Sequence, residues 1–219
     1  MFLLGITLAL GGCAMSYQEP PYAVLHRSGG VEYRQYEPYL IAETVVAGSE
    51  DFDSAGTEGF RRLFKYITGA NTGQAKIAMT VPVSQAAPSE KIAMTVPVQQ
   101  VNSASGWRIA FMLPKQYTPD NAPAPTDSRV RVVAIPGKLT AVLRYSGRWT
   151  ESNFLTKRDE LVRILAAAGI KQLTEPRLAR YNAPFSLPFL RRNEVLIDVN
   201  KVPDQASDPA SPSAMPSGR

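Results

Sequence analysis

The sequence predicts an α+β fold, a distorted antiparallel β-barrel packed by two helices and built from two similar halves. Three observations carry that expectation. β-branched and alternating runs recur at strand length, two segments switch to a helical period, and the order β-β-β-α-β is followed by β-β-α-β-β. With 219 residues, 44% of them hydrophobic, the chain can bury one sizeable core.

Residues 22–27 and 31–36 flank Ser28-Gly29-Gly30, a hairpin signal. A third strand, 39–47, is rich in Ile, Val and Thr. Over 49–68, Phe52, Gly56, Phe60, Leu63, Phe64 and Ile67 fall within about 120° of a helical wheel, opposite Arg61, Arg62 and Lys65. Candidate N-caps lie at 49–54, and Gly69 is a stop. The octapeptide Lys76-Ile77-Ala78-Met79-Thr80-Val81-Pro82-Val83 recurs unchanged as Lys91-Ile92-Ala93-Met94-Thr95-Val96-Pro97-Val98. Two copies cannot make a solenoid, so they predict a hairpin of equivalent strands bending at 86–90, with Met79 and Met94 in the core. Each Pro then falls near the end of an edge strand. Strands follow at 109–113, 129–134 and 138–145, separated by a Pro-containing loop at 117–128. A second helix runs from Ser152 to about Ala168 on Phe154, Leu161, Leu165 and Ala168, with Gly169 as its stop. Strands at 177–181 and 194–199 close the domain.

The two ends read differently. Residues 1–12 are apolar or small and uncharged, too short to span a bilayer but right for the apolar region of a signal peptide, although no Lys or Arg precedes them. Leu10-Gly11-Gly12-Cys13 resembles the bacterial lipobox. That resemblance implies a diacylglycerol on Cys13, a lipidated linker over 13–21, and a membrane-anchored protein facing the periplasm. Ala14 after the Cys suggests outer-membrane sorting. Residues 203–219 hold no aromatic residue and are expected to be disordered, leaving 22–202 as the folded domain.

Composition excludes several chemistries. One His and one Cys make a Cys/His zinc site, an intramolecular disulfide and His-based triads unexpected. The net charge of +5 is spread rather than clustered, and no recognition helix or stacking motif points to nucleic acid.

The octapeptides, Phe64-Lys65-Tyr66-Ile67-Thr68-Gly69-Ala70-Asn71, and Ala179-Arg180-Tyr181-Asn182-Ala183-Pro184 leading to Arg191-Arg192-Asn193-Glu194-Val195 carry a family resemblance. In order and spacing they resemble the SOUL haem-binding family over residues 22–199. The resemblance implies a distorted antiparallel barrel with two helices that binds haem or another tetrapyrrole. Where one branch of the family carries a proposed axial His, this chain has Gln35, and its sole His, His26, lies one strand earlier. Other relatives hold the porphyrin in an apolar groove along the first helix. The matching residues here are Phe60, Phe64 and Lys65, with Thr57 where some relatives have Arg. Aromatic faces suit a macrocycle and a lysine suits a propionate. The same residues also read as a core arc beside a solvated charge. Arg191-Arg192-Asn193-Glu194 admits an anion site, but Arg192 and Glu194, two apart on a strand, read better as a structural ion pair.

Three functions follow. The chain is a tetrapyrrole binder of the cell envelope, or a small-molecule enzyme using Glu43, Glu58 or Glu194 on a barrel like those of effector-binding domains, or an envelope interaction module with a vestigial pocket. No catalytic constellation supports the enzyme. A Soret band on adding haemin separates the first from the third, and a carboxylate with a raised pKa in a closed pocket favours the second. On the lipobox reading, the protein fractionates with membranes, and Cys13→Ser releases it or leaves it unprocessed. Intact-mass measurement of a soluble chain retaining Met1 would refute that.

Overall fold

The computed structural model describes residues 18–47, 51–86 and 106–203. Its elements in chain order are β1 (Tyr22–Ser28), β2 (Val31–Tyr36), β3 (Tyr39–Ala47), α1 (Phe52–Ile67), β4 (Val83–Ala86), β5 (Gly106–Met112), β6 (Val130–Ile135), β7 (Leu139–Tyr145), α2 (Glu151–Ala167), β8 (Arg177–Arg180) and β9 (Asn193–Asp198). The helices start and stop on local chemistry. Asp51 accepts from the Ser54 N–H at 2.6 Å, and Thr150 accepts from that of Asn153 at 3.3 Å. Gly69 and Gly169, both at positive φ, turn the chain away after each helix.

All strand pairs are antiparallel, in the order β1-β2-β7-β9-β8-β4-β5-β3-β6. The sheet curls into a half-barrel. Outward from the β4–β8 junction, β5, β3 and β6 on one side match β9, β7 and β2 on the other. The expected two halves are therefore present, with one strand exchanged. β2 precedes β3 but pairs with β7, while β6 precedes β7 but pairs with β3.

Strand alternation separates two faces. On the helix-covered face, α1 packs on Ile109, Phe111 and Ala42, and α2 on Ala141, Leu143, Val195 and Ile197. Phe52 joins the two cores, stacked on Phe154 at 6.0 Å and edge-on to Trp107 at 5.2 Å. The opposite, open face carries a smaller cluster of Tyr36, Val142, Ala179, Tyr181 and Leu196.

The first octapeptide departs from its expected strand. Residues 75–80 form no ladder. Their polar groups go elsewhere: the Ile77 N–H to the Ile67 carbonyl at 2.8 Å, the Thr80 hydroxyl to the Met112 carbonyl, and the Val81 N–H to the Gln18 carbonyl at 3.1 Å. Only after Pro82, which has no N–H to give, does β4 begin. That strand occupies part of the place assigned to the bend, and it is interior rather than an edge. Met79 is half-buried against the α1 core. Met94 and the second octapeptide lie outside the described residues, as do Cys13 and 204–219. Gln18, Glu19 and Pro20, expected in a linker, are docked on the domain through the Val81 contact, an Arg192 ion pair and the wall of the open-face cavity.

Gly59 lets α1 settle tightly on β5, since a Cβ there would lie 2.6 Å from Ile109 Cγ1. Gly59→Ala should therefore lower stability by about 1–3 kcal/mol despite the ~1 kcal/mol gain in helix propensity. Adding Ile109→Ala should recover part of that loss in urea unfolding. A more stable single variant would show that the two elements separate freely.

Candidate functional site

α1 turns Ala55, Gly59 and Leu63 inward and leaves Phe60 at the rim of the core, edge-on to Phe111 at 5.2 Å. One turn on, Phe64 lies nearly parallel to Phe60, with ring centroids 5.9 Å apart and planes 12° apart, and is 47% exposed. The core reading thus holds for one face of Phe60, while Phe64 stands outside the core as a flat aromatic surface. Lys65 is exposed beside it, with no ion-pair partner among the described residues. Thr57 is exposed about two turns before Lys65.

The candidate iron ligands are not brought to this platform. His26 packs against Tyr33 at 5.8 Å, on the α2 side of the sheet, and its buried Nε2 has no hydrogen-bond partner among the described residues. Gln35 is exposed on β2 and donates to the Tyr36 carbonyl at 3.2 Å. No metal-binding cluster of His, Cys, Asp and Glu occurs among the described residues.

The open face holds a cavity of about 420 Å³, walled by Tyr36, Tyr39, Met112, Tyr181, Arg177 and Asp198 among others. Nothing in the sequence reading pointed to it. β9 supplies a carboxylate at each end of its open face. Glu194, fully buried, takes a bidentate bond from Arg34 at 2.9 and 3.1 Å, one from Arg192 Nε at 2.9 Å and one from the Tyr181 hydroxyl at 2.7 Å. Asp198 meets Arg177 at 2.7 Å, the Thr140 hydroxyl at 2.9 Å and Lys138 at 3.3 Å. Burial pushes the Tyr36 phenol up to about 12 against the opposing Arg34 charge, so its O–H stays on. The Arg192–Glu194 pair was legible from i, i+2 spacing. Arg34 and Arg177 were not, because their partners are distant in sequence. The carboxylates named for acid–base work are all tied up. Glu43 pairs with Arg131 at 2.8 Å, Glu58 with Arg61 and Arg62 at 2.8 Å each, and Glu194 as above.

The model of the SOUL heme-binding protein family matches residues 17–198. Heme-binding protein 1 of Xenopus laevis is 29% identical over 165 residues, covering 75% of this chain and 80% of that one. Heme-binding protein 2 of Mus musculus is 33% identical over 182 residues, covering 79% and 80%. Among solved structures, the EcmrR C-terminal domain matches with a TM-score of 0.58 at 11% identity, over 78% of this chain and 98% of that one, a likeness of fold alone.

The two carboxylate clusters make separate stability predictions. Arg34→Met strands Glu194 beside its weaker partners and should cost about 3 kcal/mol, and pairing it with Glu194→Met should recover part. Burial raises the Asp198 carboxyl, but Arg177, Thr140 and Lys138 outweigh burial and hold it below its ordinary value. A depressed folded pKa gives stabilisation that is present above about pH 4 and lost as pH falls through the folded value. Asp198→Asn should thus flatten the acid limb of a stability–pH curve, and an unchanged limb would contradict the assignment.

Proposed function

The chain belongs to the SOUL heme-binding protein family, and on that premise we propose that it binds haem or another tetrapyrrole on the aromatic platform of α1, with no protein side chain on the iron. The observation that carries this is Phe64, half-exposed and parallel to Phe60, with the uncommitted Lys65 beside it. Such a surface fits a flat macrocycle with a carboxylate at its edge. Burying ~300 Å² of ring surface at ~25 cal/mol per Å² gives about 7 kcal/mol before the cost of association, enough for roughly micromolar affinity at best. We further propose that the protein works in the cell envelope as a lipoprotein facing the periplasm, sequestering or handing over its ligand. Leu10-Gly11-Gly12-Cys13 supports that reading.

The open-face cavity favours one competing placement, a ligand lodged between the tyrosines and Arg177. Two variants separate the sites. Phe64→Ala should weaken haemin and iron-free protoporphyrin alike by several-fold, and Ser84→Phe, which fills the cavity, should leave both unchanged. His26→Ala should alter neither affinity nor Soret position. Loss of haemin alone in His26→Ala would establish an axial histidine, and loss of both porphyrins in Ser84→Phe would move the site to the cavity.

A further inference from the structure

Between β8 and β9 the chain throws out a loop whose apolar side chains point into solvent. Phe185 is 90% exposed, Leu187 55%, Phe189 69% and Leu190 67%. Isolated exposed apolar side chains are ordinary, but four in six consecutive residues form a patch that calls for a partner. The loop is braced rather than slack. Arg191 donates to the Ser186 carbonyl at 2.9 Å and to the Pro184 carbonyl at 2.7 Å, the Ser186 N–H reaches Ala183 at 3.0 Å, and Gly147 N–H holds the Pro188 carbonyl at 2.9 Å. These bonds fix the backbone, so the apolar tips stand ready without further ordering.

We propose that the loop at 185–190 is a membrane-contact element that seats its apolar tips in a bilayer carrying anionic headgroups. Three observations favour a bilayer over a protein partner. The patch is a protruding loop, whose separate tips suit a fluid apolar layer. Its surround is cationic: Arg191 stacks on Trp149 at 4.3 Å, and Arg148 is exposed on the segment that holds Pro188. Residues 182–192 contain no acid, and Glu151 is the acid nearest in sequence on the neighbouring segment. Such charge draws a surface toward anionic lipid. Finally, Glu19 is ion-paired at 2.9 Å with Arg192, two residues past Leu190. Cys13 lies six residues before Glu19, within about 20 Å of extended chain. A lipid on Cys13 and the loop tips would therefore meet one membrane, as two weak signals that together anchor stably. This last point rests on the envelope reading; the loop's own exposure does not.

The test keeps the two apart. The full chain and Phe185→Asp/Phe189→Asp are compared, each with Cys13 and with Cys13→Ser, by flotation on phosphatidylethanolamine–phosphatidylglycerol vesicles and on phosphatidylcholine vesicles. In the Cys13→Ser background the loop variant should partition at least about tenfold less onto the anionic vesicles, with unchanged thermal midpoint and haemin titration. A phosphatidylcholine result equal to the anionic one would remove the headgroup requirement and overturn the proposal as stated. Equal partitioning of the two chains would overturn it outright, as would a loop-dependent dimer in lipid-free sedimentation, which would make a second copy the cover. Absence of lipid on Cys13 would defeat only the anchor.

Discussion

Four residue pairs, Val83–Arg180 through Ala86–Arg177, are the ladder that joins the two halves of the sheet. The side chains at this seam decide what each face can do. On the helix-covered face, Gln85 donates to the Phe52 carbonyl at 2.9 Å and Leu178 is buried in the core, so the seam is locked to the start of α1. On the open face three of the four seam side chains, Ser84, Ala86 and Ala179, are small, and the fourth, Arg177, is drawn aside to Asp198. The cavity exists because these positions do not fill the space between the curled wings, while the larger residues around them line its walls.

The open face is also where charge enters the sheet. Glu194 and Asp198 lie on one strand, and each meets a cation from another strand: Arg34 on β2 for one, Arg177 on β8 for the other. Buried ion pairs are weak sources of net stability because desolvation offsets much of their attraction. Their geometry is demanding, though. A one-residue slip of β9 would turn both carboxylates into the apolar core under α2. The pairs therefore hold the register of the strand that closes the second half.

Much of this architecture was legible. The apolar arc of α1, the Gly stops, the i, i+2 pairing of Arg192 and Glu194, and the repeated order of elements each depend on neighbours close in sequence. What was hidden depends on partners far away. The octapeptide looks like a strand because Ile, Val and Thr favour one, yet its polar groups find Ile67, Met112 and Gln18 instead of a ladder. The exchange of β2 and β6, and the cavity it frames, follow from pairing across the chain and leave no local pattern. The platform at Phe64 lay between these cases. Its position at the edge of the arc was visible, but its exposure depended on how deeply α1 settles onto β5.

The strand exchange has a consequence for how the molecule comes into being. β2 is made early, yet it needs β7, and β7 needs β9 at residues 193–198. The first half likewise lacks its outer strand until β6 has been synthesised. Neither half can finish as the chain leaves the ribosome, and closure of the sheet waits for almost the last residue of the domain. Pairings of such sequence separation form slowly. A nascent chain of this kind acquires its final shape only once nearly the whole domain has been made.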